Sequence, residues 1–313
     1  MPEVAVRIEG LTKCFGEIAA VDELSVEVEE TEIFGLIGSD GAGKTTTMRL
    51  VCGLLEPDAG EIEVAGVNVR NQPEEARHRL GYLPQAFGLH DDLSIAENIR
   101  YFADLFCQDM SEMREELDEL LAATGLTEFT DRMAGDLSGG MKQKAALICA
   151  LIHRPEVLLL DEPTRGVDPV SRRDLWRIVY GLPADGVTVI VATPDADEAA
   201  RCSRLGVIAN GSIAETGTPQ ELIARHTSRL VEITVGDQQA ARDVLRQTDG
   251  VVAVSGIGGS LRVSLAEDGP DADGLTRTLE DQGHEVSEAR EVEPQLDDAL
   301  LAMDARRARD SDE

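Results

Sequence analysis

The chain has 313 residues, room for one large domain and a small one, and its 42% hydrophobic content can furnish a core built, with only 3% aromatics, on Val, Leu, Ile and Ala. No apolar stretch approaches the roughly 20 residues of a spanning helix, and Met1 to Gly10 lacks the charged-then-apolar pattern of a secretion signal, so the chain is expected on the cytoplasmic side without crossing a membrane. Acidic residues number 60 against 29 basic ones, and the resulting net charge of −31 argues against binding to nucleic acid or anionic lipid.

Val4 to Glu9 and Leu24 to Val28 alternate apolar and polar residues, as half-buried strands do. Ile33 to Ile37 is a short apolar run ending at Gly38, and a helix is expected over about Gly43 to Gly53. Glu61 to Val69 reads as a hairpin with Gly66 near its turn, and Leu80 to Leu83 as a short strand. From about residue 94 to 152 the strand signal fades, and Ser94 to Cys107, Ser111 to Thr124 and Gly139 to Ile152 carry helical periodicity. Strands return at Val157 to Leu160, Val187 to Val191 and Leu205 to Ala209. A helix over about Pro169 to Tyr180 lies between the first two, with Asp168 placed to cap it and Pro169 suited to its first turn. Strands alternating with helices predict a parallel sheet covered on both faces, with the helical stretch, about 86–152, as an inserted subdomain.

Near Leu230 the pattern resets. Leu230 to Val235, Val251 to Gly256, Ser260 to Ser264 and His284 to Arg290 read as strands, and Ala240 to Arg246 and Asp271 to Gln282 as helices. That β-α-β-β-α-β order predicts a ferredoxin-like sandwich over 229–303. A last helix, about Gln295 to Ala302, leads into a charged tail, 304–313, expected to lack structure. Cys14, Cys52, Cys107, Cys149 and Cys202 are scattered singly, without a CxxC pair, and read as reduced thiols.

Gly38-Ser39-Asp40-Gly41-Ala42-Gly43-Lys44-Thr45-Thr46 satisfies GxxxxGK[ST] between an apolar strand and a helix. Its glycines let backbone N–H groups wrap phosphate oxygens, and the helix N-terminus adds positive charge. Lys44 can reach the β- and γ-phosphates, and Thr45 can ligate Mg²⁺. The strand Val157 to Leu160 delivers Asp161 and Glu162 to the sheet edge where α/β ligands bind. There Asp161 would hold Mg²⁺ through water and Glu162 would polarise the attacking water. Leu137-Ser138-Gly139-Gly140-Met141-Lys142-Gln143-Lys144 opens another helix and makes a second anion site. Two phosphate-binding helix starts in one chain point to a nucleotide shared between two chains.

Together these segments resemble the nucleotide-binding subunits of ABC transporters over about residues 4 to 228, LSGGMKQK being the most specific. The resemblance extends to ATPases of exporters, drug and antibiotic systems among them, whose permeases are separate chains. Glu293-Pro294-Gln295-Leu296-Asp297-Asp298-Ala299-Leu300-Leu301 is similar to the end of the small C-terminal domain such ATPases often carry. The implied fold is an α/β P-loop ATPase domain, 1–228, with its helical subdomain, then the small α+β domain. The implied activity is ATP hydrolysis with Mg²⁺ that drives a separate permease, the chain touching the membrane only through it. Phe15 would stack on adenine. Gln85, in Gly-Tyr-Leu-Pro-Gln, would touch Mg²⁺ or water, and the segment after it would receive the permease. Ser138, Gly139 and Gly140 would cap the γ-phosphate bound to the partner chain, and Asp168 would sit across the dimer interface.

Two positions depart from the family pattern. Pro194, in Val191-Ala192-Thr193-Pro194-Asp195, stands where the family usually has a histidine, and proline offers no side-chain donor. Asp40 stands where Asn is usual. The first departure predicts slow turnover at this chain's own site and favours a heterodimer with a complete second ATPase chain over a homodimer. A weakly active regulatory subunit is a further alternative, as is an ABC ATPase acting on ribosomes, although those usually carry two modules and basic elements. The acidic, lysine-poor surface also fits a salt-loaded cytoplasm.

Overall fold

The computed structural model describes residues 3–86, 88–106, 113–227 and 229–312, except for the side chains of 308–312. Cys107 and the adjoining ends of two helices read from the sequence lie outside the described residues. The chain divides into two compact units, Met1–Thr216 and Gly217–Glu313.

In the first unit, β1 (Val4–Phe15) and β2 (Ile18–Glu29) form a long hairpin. The sequence pattern showed only parts of both strands, because register shifts from Ile8 to Cys14 break the period-two alternation. β3 (Ile33–Ile37) is buried along its whole length, and α1 (Lys44–Val51) follows it. β4 (Ala59–Val64) and β5 (Val67–Asn68) turn at Ala65–Gly66, before α2 (Pro73–His78) and β6 (Leu80–Leu83). The helical stretch holds α3 (Ile95–Leu105), α4 (Arg114–Thr124) and α5 (Gly139–Leu151). A capping box between Ser94 and Glu97 starts α3 by satisfying backbone donors at its first turn. β7 (Val157–Asp161), α6 (Pro169–Gly181), β8 (Thr188–Thr193), α7 (Ala196–Ala199), β9 (Arg204–Ala209) and β10 (Ser212–Gly217) complete the unit.

Two sheets result. The six-stranded one, in the order β10-β9-β3-β8-β7-β6, pairs β9, β3, β8, β7 and β6 in parallel. Its central strands β3, β7 and β8 are buried throughout, which is why they read as unbroken apolar runs. The second sheet, β2-β1-β4-β5, is antiparallel and separate, a division that the prediction of a parallel sheet had not drawn. One core of Val, Leu, Ile and Met side chains joins the two sheets and α1, and a smaller cluster binds α3, α4 and α5 together.

The second unit begins with α8 (Pro219–His226), started by a capping box between Thr218 and Glu221. Then come β11 (Arg229–Val235), α9 (Gln238–Arg246), β12 (Val251–Ile257), β13 (Ser260–Leu265), α10 (Ala272–Asp281), β14 (Val286–Glu291) and α11 (Leu296–Asp312). The sheet order β12-β13-β11-β14 with antiparallel pairs places the two halves of the β-α-β-β-α-β order side by side.

The division falls at 216/217, earlier than the 228/229 boundary read from the sequence, because α8 packs against α11 within the second unit. The tail expected to lack structure is instead helical to Asp312. Ala and Arg in Ala302–Ala308 are strong helix formers, and Arg306 donates to the carbonyl of His226, ties that net charge alone did not reveal.

Candidate functional site

The parallel register brings four strand ends to one edge. Ile37 pairs with Thr193, Ala192 with Asp161, and Leu160 with Leu83. The residues that follow, Gly38, Pro194, Glu162 and Gln85, therefore come to the C-terminal edge of the sheet, where an α/β fold binds its ligands.

Gly38 to Gly43 wraps from β3 into α1. Gly41 and Gly43 have φ of 83° and 108°, left-handed values that disfavour any side chain. A Cβ on Gly43 would lie 2.3 Å from the carbonyl oxygen of Ala20, so backbone from β2 closes the loop's outer wall. Asp40 is exposed in this loop and Ala42 is buried beneath it. Lys44, itself buried, donates from Nζ to the carbonyls of Gly38 at 2.7 Å and Ser39 at 2.8 Å, which curls the loop around the ammonium. Burial pulls the Lys44 pKa below the ordinary lysine value, and the carboxylates of Glu162, Asp40 and Asp161 oppose that shift. Thr45 and Thr46 follow in the first turn of α1, whose free N–H groups and dipole favour an anion.

Thr45 Oγ1 donates to Asp161 Oδ1 at 3.0 Å. Asp161 is fully buried, and its second oxygen accepts from the Tyr82 hydroxyl at 3.3 Å. Burial pushes the Asp161 pKa up, the Thr45 and Tyr82 hydrogen bonds pull it down, and the Glu162 charge adds to the rise. A hydroxyl and a carboxylate held together beside a phosphate cradle are the hard oxygen donors a small divalent cation takes, so the donor set fits one.

Glu162 turns the chain at the end of β7 with φ of 51°, and its N–H donates to Ala192 O at 2.8 Å. Its carboxylate, 8% exposed, accepts from Gln85 Nε2 at 3.2 Å and from Arg165 Nη1 at 2.8 Å. Lys44, Thr45, Gln85, Asp161 and Glu162 are thus brought together at this edge. Pro194 is exposed one residue past the Ile37–Thr193 pair and contributes no donor there.

The signature residues lie at a different place. Ser138 is the exposed N-cap of α5, accepting from Met141 N at 3.4 Å, and Gly139 and Gly140 form the first turn. A Cβ on Gly140 would lie 2.3 Å from Ser171 Oγ and 3.0 Å from Asp168 Oδ2, so only glycine lets α5 and the start of α6 approach this closely. Asp168 Oδ1 accepts from Val170 N and Ser171 N, each at 3.0 Å, which caps α6 and holds its carboxyl below the usual range. Ser138 and Gly140 at the start of α5 and Asp168 at the start of α6 therefore form a second group, held by the close approach at Gly140. Phe15 closes β1, 50% exposed, with the Lys13 ammonium 5.9 Å from its ring centre.

The sequence reading missed several contributors. Tyr82 sits three residues before Gln85, in a segment already singled out, and its polar tip pointed to a buried partner. Glu198 carried no local signal. It is buried, accepts from Thr193 Oγ1 at 2.6 Å, Trp176 Nε1 at 3.4 Å and the Thr164 hydroxyl, and so clamps the end of β8 to the loop after Glu162.

The sequence profile described as "ABC transporter" matches residues 21–165. A probable multidrug ABC transporter ATP-binding protein of Escherichia coli is 39% identical over 223 residues, 71% of this chain, which spans 39% of that protein's length. The Nod factor export ATP-binding protein I of Paraburkholderia xenovorans is 39% identical over 78% of this chain and 81% of its own. A daunorubicin resistance ATP-binding protein of Streptomyces coeruleorubidus is 33% identical over 100% of this chain and 98% of its own. Among solved structures, an ATP-binding subunit of an ABC transporter superposes with a TM-score of 0.66 at 27% identity, over 71% of this chain and 92% of that one. A dimeric ATP-binding cassette bound to ADP and Pi superposes with 0.62 at 25% identity, over 68% of this chain and 98% of that one. With phosphate loop, buried carboxylates and signature helix in these positions, the chain belongs to the ABC transporter family as one of its ATP-binding subunits.

Proposed function

We propose that this subunit binds and hydrolyses ATP at the cytoplasmic face of a membrane and thereby drives a separate permease of exporter type. The observation that carries the reading is the convergence of Lys44, Thr45, Asp161 and Glu162 on one strand edge. Lys44 and the amides of the loop bind the β- and γ-phosphates. Thr45 and Asp161, with Gln85 beside them, would hold Mg²⁺, which neutralises phosphate charge when bound. Glu162 accepts a proton from the attacking water, and its turned backbone with the Gln85 contact fixes where that carboxylate points.

Export is the role printed for the Nod factor relative, and resistance to daunorubicin for another. The transported substance meets the permease, so its chemistry is not carried by this chain. A cavity of about 710 Å³ lies directly beyond Gln85, lined by Leu83, Pro84, Gly88, Leu89, Phe102 and His153 among others. Its apolar lining and its place beside Gln85 suit it to receive the permease.

Ser138, Gly139, Gly140 and Asp168 supply a second anion site for nucleotide on a paired ATPase chain, and Phe15 supplies a face for adenine. Because position 194 offers no donor, we favour pairing with a different, complete ATPase chain over self-pairing. Light scattering on Glu162→Gln with ATP and with ADP tests this. A mass unchanged by ATP, and raised only when a second ATPase chain is added, is expected. Doubling of the mass with ATP alone would overturn the heterodimer and leave the ATPase reading standing.

A further inference from the structure

The charge at the phosphate site does not balance through Lys44 alone. Asp40, Asp161 and Glu162 all act on Lys44, three carboxylates against one ammonium, and that ammonium is already engaged by two carbonyls. A polyphosphate with its cation brings further negative charge to the same edge. Pro194, at the fourth strand end, has nothing to offer it.

Two arginines act on these carboxylates. Arg49 lies on the Tyr82 and Asp161 side. Arg165 lies on the side of the loop, pairing through Nη1 with Glu162 Oε2 at 2.8 Å and interacting with Asp40. Its backbone is well anchored. Arg165 N donates to Glu162 O at 3.2 Å, and the neighbouring Thr164 hydroxyl is buried against Glu198. Its side chain is 58% exposed, so the guanidinium is open to solvent on the side away from Glu162.

We infer that Arg165 is a γ-phosphate-binding residue of this chain's own site, supplying the donor that position 194 lacks. The arginine end of this pair is exposed, and Glu162 keeps its hydrogen bond from Gln85 when the guanidinium turns to a phosphate oxygen, so the carboxylate is not left without a partner. Guanidinium geometry matches phosphate in a two-pronged fashion that a lysine cannot reproduce. The same movement frees Glu162 to face water. The inference deepens the ATP reading above and rests on it. It lets a site without fast turnover still distinguish ATP from ADP, which ATP-driven pairing requires.

The test is calorimetric titration of the full chain with the Mg²⁺ complexes of ADP and of a non-hydrolysable imido analogue of ATP. Arg165→Ala is expected to weaken the triphosphate analogue about tenfold while ADP affinity stays within about twofold. Arg165→Lys recovers only part of the loss. In a Pro194→His background the effect of Arg165→Ala shrinks to about threefold or less, because the introduced imidazole supplies a donor. Equal loss for both nucleotides, no loss, or a loss undiminished in the Pro194→His background overturns the inference. Arg165→Gln serves if Arg165→Ala does not fold. Lys44→Ala separates the two claims: analogue binding that depends on Lys44 but ignores Arg165 sinks only the arginine's role. Binding indifferent to Lys44 sinks the site itself.

Discussion

Buried charge at two places, one in each unit, is handled in opposite ways. In the second, Asp298 is almost fully buried on α11, but its Oδ2 accepts from Arg262 Nη1 and from Gln295 N, both at 2.9 Å. Those partners stand between α11 and the sheet, and the pair locks the helix onto β13. In the first unit Lys44, Asp161 and Glu162 are also buried, yet they sit at a strand edge with their partners contributed by loops and hydroxyls. Burying a charge costs several kcal/mol unless it is paired and hydrogen-bonded. Where the pairing is closed within the core, the charge is structural. Where several such charges converge at the edge of a parallel sheet where α/β folds bind ligands, we read the burial as kept for a ligand.

That contrast breaks if Lys44→Ala leaves nucleotide affinity intact. We expect ATP affinity to fall about hundredfold, from loss of hydrogen bonds to charged oxygens worth about 3 kcal/mol, as read by calorimetry, with the unfolding midpoint little changed. Asp298→Ala should do the reverse. Removing one partner of a buried pair is expected to cost about 3 kcal/mol of stability in urea unfolding, without altering ATP affinity. A change in affinity of more than about threefold would remove the distinction between the two kinds of buried charge.

Tyr82→Phe sharpens the contrast at about 1 kcal/mol, the worth of one hydrogen bond. The Asp161 pKa is already raised above the unfolded carboxylate value of about 3.9. The group therefore favours the fold in its protonated form, and that contribution is lost as pH rises through the raised value. Cation binding needs the ionised form, so Mg²⁺-dependent ATP binding should fail as pH drops through the same window. Tyr82→Phe raises the pKa further and should move the failure to higher pH. An unchanged pH profile would show that the hydroxyl does not support the charge. The smallest effect concerns the surface. With a net charge of −31, self-repulsion should be relieved by molar KCl, where screening reaches roughly 3 Å, and the thermal midpoint should rise by a few degrees. Equal stability in low and molar salt would contradict the high-salt reading of the composition.

What the sequence disclosed was whatever is local along the chain. Gly38 to Thr46, Asp161-Glu162 and the octapeptide from Leu137 each carry their geometry in consecutive residues. The β-α-β-β-α-β order of the second unit was legible for the same reason, as alternating periods set off by turns. Contacts formed across strands were not. Tyr82 reaches Asp161 only because β6 pairs with β7, and Glu198 gains meaning only when Thr164, Trp176 and Thr193 converge on it. The helical tail was hidden because its charge masks good helix formers whose anchor, the carbonyl of His226, lies far back in the chain.

The most direct test of the account is steady-state ATP hydrolysis by the purified chain, compared with Glu162→Gln and Pro194→His. We expect slow turnover that Glu162→Gln abolishes and Pro194→His raises at least about tenfold, equivalent to about 1.4 kcal/mol in barrier. Turnover unaffected by Glu162→Gln would contradict the assignment of the catalytic carboxylate and, with it, the site at the strand edge.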